Sequence, residues 1–277
     1  MFKHKKLALL VGLAAVTFGV TIGLVGGNAA PAHAATTVSI GINGSDHRQW
    51  DPAEKTLKKE GIKLKFVTFS DYNQPNTALV NGDVDLNAFQ TKYFFDDWKK
   101  THNAKLSAIG KTVIAPLALY SKKHTKVSQI KKGDTIIIAN DVTDEGRALT
   151  LLQNAGLIKI KNKTLPTVND ITQNKLNLKI KEVDASQTAH SLGDVSAAVI
   201  NSGVATDAGL NRKSALYVEK INQKSKPYIN IIAARTKDKN NKTYLKVVKA
   251  FQQDATKTAI QKIFKGSETA AWDLKLK

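Results

Sequence analysis

From Thr36 onward, short β-branched apolar runs alternate with stretches whose apolar positions recur every three to four residues, the pattern of strands alternating with helices. "TTVSIGI" predicts a first strand, "PAEKTLKKEGI" a helix that stops at Gly61, and "KLKFVTFS" a second strand. "QPNTALVNGD" predicts a short helix with Pro75 in its first turn and an Asn-Gly stop, since proline suits helix starts and glycine suits the position past a helix end. "VDLNAFQ" reads as a third strand, "YFFDDWKKTH" as an amphipathic helix, and "LSAIGKTVIAPLALYSKK" as a long extended segment interrupted at Pro116.

A second series follows: the strand "DTIIIAND", the helix "EGRALTLLQNAGLI", the strand "LKIKEVD", a helix around "SQTAHSLGD" and the strand "VSAAVIN". The chain then gives one more strand, "YINIIAART", and one closing helix, "NKTYLKVVKAFQQDATKTAIQKIF". Two βα series imply an α/β protein with mainly parallel sheets. They predict two lobes joined by extended crossings near 115–121 and 228–235, with 35–118 plus 231–277 in the first lobe and 119–230 in the second.

Residues 1–34 do not fit this pattern. Lys3, Lys5 and Lys6 precede the apolar run "LALLVGLAAVTFGVTIGLV", and "PAHAA" offers an A-x-A site at Ala32 and Ala34, so 1–34 reads as a cleaved export signal. The competing reading is an uncleaved anchor, because residues 7–25 approach the roughly 20 apolar residues that span a bilayer. The chain of 277 residues has no cysteine, which excludes disulfides, thiolate chemistry and a lipid-modified cysteine. The expected location is therefore the extracellular face of the cytoplasmic membrane or the cell surface, with no lipobox cysteine. The formal charge is +19, and +16 without the three lysines of 1–34. Such a charge points either to an anionic surface or simply to a solvated exterior; nucleic acid is a poor partner for an exported protein.

Catalytic motifs are missing: there is no G-x-S-x-G elbow, glycine-rich phosphate loop or H-E-x-x-H, and the histidines are too scattered for a local metal motif. Arginine is more informative. Only Arg48, Arg147, Arg212 and Arg235 stand among 42 basic residues, and a planar fork suits a carboxylate better than lysine does. Arg147, in "IIIANDVTDEGRALTLL", follows a strand and lies in the first turn of a helix, where free N–H groups and the carboxyl end of the strand favour an anionic group. Asn140 ends the same strand and equally suits a turn cap. Asn87, Phe89, Gln90, Asn201 and Asn230 occupy other strand ends, and neutral amides with aromatic walls suit a small zwitterion. Tyr72 sits among uncharged polar neighbours in "FSDYNQPN", where strand yields to loop.

"FSDYNQPNTALVNGDVDLNAFQ", "IANDVTDEGRALTLLQNAGLIKIK", "AAVINSGVATDAGL" and "YINIIAARTKD", in this order, resemble the NlpA/MetQ family of substrate-binding proteins of ABC importers for methionine, over nearly all of 38–270. The resemblance implies an α/β, two-lobed periplasmic-binding-protein-like fold of type II with the ligand cleft between the lobes. It also implies that Arg147 grips the ligand carboxylate, that Tyr72 and Phe89 face the thioether, and that Asn201 and Asn230 hold the polar end. The chain departs from the family's pattern at Thr91, where a histidine is usual, at Ala115, where an aromatic is usual, and at Gly203 and Val204. A wider pocket is therefore expected. The expectation is a non-enzymatic solute-binding protein without a cofactor, capturing methionine, a related amino acid or a methionine dipeptide for a membrane permease. Its rival is a basic surface protein that binds an anionic wall polymer.

Overall fold

The computed structural model describes residues 35–276, so the expected signal segment lies outside the described residues. The chain runs through β1 (Thr36–Asn43), α1 (Asp51–Lys59), β2 (Ile62–Phe69), α2 (Gln74–Asn81), β3 (Leu86–Asn87), α3 (Lys92–Thr101) and β4 (Leu106–Ile114). It continues through β5 (Ala118–Tyr120), β6 (Thr135–Ala139), α4 (Val142–Asn154), β7 (Lys159–Ile160), β8 (Ile171–Gln173), β9 (Lys179–Val183), β10 (Ala197–Ile200), α5 (Ser202–Asp207) and β11 (Tyr217–Val218). β12 (Ile229–Arg235), α6 (Lys242–Phe251), α7 (Asp254–Phe264) and β13 (Thr269–Ala270) complete it.

Two sheets organise these elements. The first has six strands in the order β13-β4-β12-β3-β1-β2, the second five in the order β11-β5-β10-β6-β9, and β7 and β8 form a separate hairpin. The chain passes from the first sheet to the second through residues 115–117 and returns through 219–228. Each sheet is covered on both faces. Trp50, Leu57 and Phe251 pack on one face of the first, and Leu79, Phe95 and Ile231 on the other. Ile136, Ile138 and Leu149 cover one face of the second, and Tyr120, Ala198 and Ile200 the other. Burial on both faces explains why "TIIIA" and "AAVI" read as continuous apolar runs rather than alternating ones.

The structure corrects four local expectations. The sheets are mixed rather than mainly parallel: β12 returns from the second lobe and inserts antiparallel between β3 and β4, and β5 lies antiparallel to β10. The predicted third strand pairs only at Leu86–Asn87, and the rest of "VDLNAFQ" leaves the sheet. "SQTAHSLGD" forms two 3-10 turns, Ala185–Gln187 and His190–Gly193, because the Asp184 carboxylate accepts the Ser186 N–H at 2.9 Å and the Thr188 hydroxyl donates back to Ala185 O at 2.7 Å. Such local side-chain bonds compete with a continuous helix. The single closing helix is broken at Gln252–Gln253 into α6 and α7. An unbroken helix over 241–264 would run roughly 36 Å, whereas the break lets Phe251 and Ile260 reach the same core. Gln252 Nε2 then donates to Lys111 O at 2.9 Å.

α2 ends as its Asn-Gly stop predicts, with Gly82 at φ +88°. A side chain there meets only Arg235, at 3.9 Å, so the cost of Gly82→Ala is the left-handed backbone itself, about 1 kcal/mol. Chemical denaturation should show that loss with an unchanged m-value. No helix among the described residues is long and apolar enough to cross a membrane.

Candidate functional site

A cavity of about 130 Å³ lies between the sheets, lined by residues of both. At ~10–15 Å³ per water-sized position it offers roughly ten such positions, the scale of an amino acid or short peptide rather than a polymer. One wall is aromatic: the rings of Tyr72, Phe89 and Phe94 stand with centroids 5.9 to 6.2 Å apart in tilted and edge-on contacts. Tyr72 packs against apolar clusters of both lobes, so it joins them across the cleft. Burial holds its phenol neutral far above the ordinary range, and Asp144 adds to the effect.

Arg147 sits opposite, in the first turns of α4, 4% exposed. Its guanidinium is already partly engaged. Nε donates to Glu219 Oε1 at 3.1 Å, and Nη2 donates to Glu219 Oε2 at 2.6 Å and to Ala115 O at 2.9 Å. The group stacks on Tyr228 with Cζ 4.2 Å from the ring centroid, and the Leu117 N–H donates to Glu219 Oε2 at 3.0 Å. Ala115 and Leu117 belong to one crossing between the lobes, Glu219 and Tyr228 to the other, so Arg147 ties both crossings together. Nη1 has no hydrogen-bond partner among the described residues. Burial opposes the charge, but Glu219 and then Asp144 outweigh it and keep the guanidinium above its ordinary pKa.

Asp144 precedes Arg147 by three residues, which places both side chains on one face of α4. It is 5% exposed, and Asn201 Nδ2 donates to its Oδ2 at 2.7 Å. The Asp141 carboxyl also stands within side-chain hydrogen-bond reach of Asp144. Burial pushes the Asp144 carboxyl up and Arg147 pulls it back. The neighbouring cap Asp141 accepts from the Asp144 N–H and the Thr143 hydroxyl, both at 2.9 Å, while its Oδ2 is buried without a partner. Burial, and then the charge of Asp144, push Asp141 up to about 7. A carboxyl raised on folding takes up protons as the chain folds, so its ionisation costs stability as pH rises from the ordinary carboxylate range through 7. Asp141→Asn keeps the cap. It should therefore stabilise the protein by on the order of 2 kcal/mol at pH 8, fading toward zero near pH 4, in melts recorded at both pH values.

Tyr72, Phe89, Gln90, Arg147, Asn201 and Asn230 all line this cavity. Asn140 does not: it is exposed at the end of β6, and its N–H donates to Val183 O at 2.9 Å. Gln90 lines the wall, but its amide is spent within the first lobe, exchanging bonds of 2.7 and 2.8 Å with Asn76 and donating to Asn87 at 2.9 Å. Asn230 Nδ2 makes one long bond, 3.4 Å, to Val113 O. Of the departures from the family's pattern, Thr91, Ala115 and Gly203 line the cavity. The Thr91 hydroxyl accepts the Phe94 N–H at 3.1 Å and caps α3. Asp144 and Glu219 are additions that sequence reasoning missed. The three-residue spacing of Asp144 and Arg147 in a helix start was a readable signal; Glu219, 72 residues from Arg147, left none. Among the described residues no cluster has the make-up of a metal site.

Known proteins agree with this architecture. Residues 38–272 match the model of the NlpA lipoprotein family. The chain is 40% identical over 237 residues to the D-methionine-binding lipoprotein MetQ of Escherichia coli O157:H7, covering 83% of this chain and 86% of that one. It superposes with a TM-score of 0.81 and 42% identity on the substrate-binding protein of a methionine transporter from Streptococcus pneumoniae, covering 85% of this chain and 96% of that one. A nutrient-binding protein from Burkholderia cenocepacia bound to methionine gives a TM-score of 0.80 at 39% identity, with coverages of 84% and 99%. These relatives support the two-lobed α/β fold expected above. The word lipoprotein in the family description and in the name of the E. coli relative overturns one expectation, a surface location defined by the lack of a lipobox cysteine. The zero cysteine count remains a fact of the sequence but no longer argues for place. With the family model spanning residues 38–272, the chain belongs to the NlpA lipoprotein family.

Proposed function

We propose that this protein is the solute-binding subunit of an ABC importer and captures methionine, a related amino acid or a methionine-containing dipeptide. One observation carries the proposal: in a cavity between two lobes, Arg147, whose Nη1 has no hydrogen-bond partner among the described residues, and the buried Asp144 carboxylate stand on one helix face opposite an aromatic wall. A carboxylate meets Nη1, an α-ammonium meets the Asp144 carboxylate with Asn201 and Asn230 beside it, and a thioether lies against Tyr72 and Phe89, where sulfur–aromatic contacts are favourable. The names of the relatives, a methionine transporter component and a protein bound to methionine, supply the substrate class.

In this proposal the lobes, drawn from 35–118 plus 231–277 and from 119–230, close on the ligand by bending at 115–117 and 219–228, where the chain changes sheet. Ligand contacts with both lobes favour the closed state, which the permease then receives. The work is binding, and no step asks a residue to do catalysis. An anionic polymer does not fit a cavity of this size, whose lining holds four acids, Asp46, Asp144, Asp207 and Glu268, and one base, Arg147. Titration calorimetry with L-methionine, D-methionine and glycyl-methionine tests the proposal. Saturable one-to-one binding of at least one of them is expected, and no binding of any amino acid or dipeptide would sink the proposal.

A further inference from the structure

The hydrogen bonds of Arg147 hold one edge of its guanidinium and leave the tilt of the group open. Nε and Nη2 donate to the two oxygens of Glu219 at 3.1 and 2.6 Å, and Nη2 donates again to Ala115 O at 2.9 Å. Nε and Nη2 lie along a single edge of a planar fork, so the third corner, Nη1, can swing about that edge. Nη1 is the corner offered to a ligand carboxylate, and a hydrogen bond weakens steeply as it bends away from linearity. What covers the face of the group is the Tyr228 ring, with its centroid 4.2 Å from Cζ. A guanidinium over an aromatic face gains cation–π and stacking attraction that it loses on swinging away.

Tyr228 is itself held firmly. It ends the 3-10 segment Gln223–Tyr228, where the Asn222 side chain accepts the Lys224 N–H at 2.9 Å and the Ser225 hydroxyl accepts the Asn222 N–H at 3.1 Å. Pro227 restricts the backbone just before it, and the buried Ile229 opens β12 just after. Tyr93 of α3 meets the Tyr228 ring in an edge contact, with centroids 5.9 Å apart and planes at 60°. α3 packs against both the 3-10 segment and α4. The Tyr93 hydroxyl is buried without a hydrogen-bond partner among the described residues. An unpaired buried hydroxyl is a cost, so what Tyr93 contributes here is its ring. Burial outweighs Arg147 and raises the Tyr228 phenol above its ordinary range, which keeps the ring neutral at pH 7.5.

We propose that Tyr228 is a positioning residue for carboxylate capture: its face sets the tilt of Arg147 so that Nη1 meets the ligand, and Tyr93 steadies Tyr228 from α3. The proposal rests on the reading of Arg147 as the anchor of the ligand carboxylate. Tyr93 stands in a helix that covers the first sheet, Tyr228 at the end of the returning crossing, and Arg147 in a helix of the second sheet. A bend of that crossing therefore shifts the platform under the arginine. The grip on the carboxylate then depends on how far the lobes have closed.

The test is calorimetry at pH 7.5 with L-methionine and L-methioninamide, directly and in competition, on the wild type, Tyr228→Phe, Tyr228→Leu and Tyr93→Leu. Urea denaturation of the ligand-free proteins establishes that each variant is folded. Tyr228→Phe keeps the face and should bind methionine within about twofold of the wild type, whereas Tyr228→Leu should bind it about tenfold more weakly. The loss should fall on the carboxylate, so the preference for the acid over the amide should shrink by a similar factor in Tyr228→Leu and by a smaller one in Tyr93→Leu. Arg147 is one of four arginines, so its Nε–H resonance can be followed without any ligand, and Tyr93→Leu should move it. Equal weakening of acid and amide would show a merely structural role and overturn the proposal. Wild-type affinity in Tyr228→Leu, or an equal loss in Tyr228→Phe, would overturn it too, and an unmoved Arg147 resonance would overturn the part given to Tyr93. No binding of any amino acid or dipeptide by the wild type would instead sink the anchor reading beneath it.

Discussion

Arg147→Ala is expected to weaken binding of the amino-acid ligand by about a hundredfold or more and to lower stability by about 3–5 kcal/mol. The two losses have separate causes. Binding falls because Nη1 is the guanidinium nitrogen left free for a ligand among the described residues. Stability falls because Glu219, with its side chain 14% exposed, keeps its charge but loses the fork that neutralises it. Removing one partner of a buried pair costs far more than removing both. The double variant Arg147→Ala/Glu219→Ala should therefore recover much of the stability and none of the binding. Arg147→Lys separates charge from geometry: an ammonium cannot donate side-on to Glu219 and still reach both Ala115 O and the ligand. Calorimetry and urea denaturation of the ligand-free protein read the two losses. Wild-type stability for the single alanine variant would show that the pair contributes nothing to the fold.

Asp144→Asn should cost roughly 30- to 100-fold in affinity for ligands with a free α-ammonium, about 2–3 kcal/mol, since the ammonium would face an amide instead of a carboxylate. The introduced amide oxygen can still accept from Asn201, so the wall keeps its shape. The informative comparison uses 4-methylthiobutanoate, which lacks the amine. Wild-type protein should prefer methionine to it strongly, and the variant should prefer it little. A merely structural role would weaken both ligands alike and leave the ratio unchanged. Because burial raises this carboxyl, the variant should also be more stable than the wild type at neutral pH.

Much of the first lobe was legible because its boundaries are written in local chemistry. Pro75 and Gly82 bracket α2, Gly61 follows α1, and the apolar positions of β1 and β2 declare themselves by number and branching. Arg147 was legible for a similar reason: a scarce residue type at a helix start is a local signal. What escaped was set by tertiary contact. Nothing around Gln252 marks a helix break; it follows from the bond to Lys111 and from two apolar faces that must meet one core. Gln90 looked like a ligand residue at the end of a strand. Its amide instead completes a buried amide network with Asn76 and Asn87, which no spacing rule reveals. Asn140 lies near Arg147 in sequence, but the strand carries it out to solvent rather than into the cleft.

The Arg147–Glu219 pair has a further consequence for the protein between two captures. A receptor built to hold a carboxylate would, when empty, present a bare guanidinium to every chloride, phosphate and acetate in its surroundings. Here two of the three guanidinium nitrogens already face an internal carboxylate, and only Nη1 is on offer. A simple anion gains little from that single donor, whereas an amino acid adds its ammonium and its side chain. On the proposed role of Arg147, Glu219 is expected to act as a built-in competitor that leaves the site little affinity for common salts.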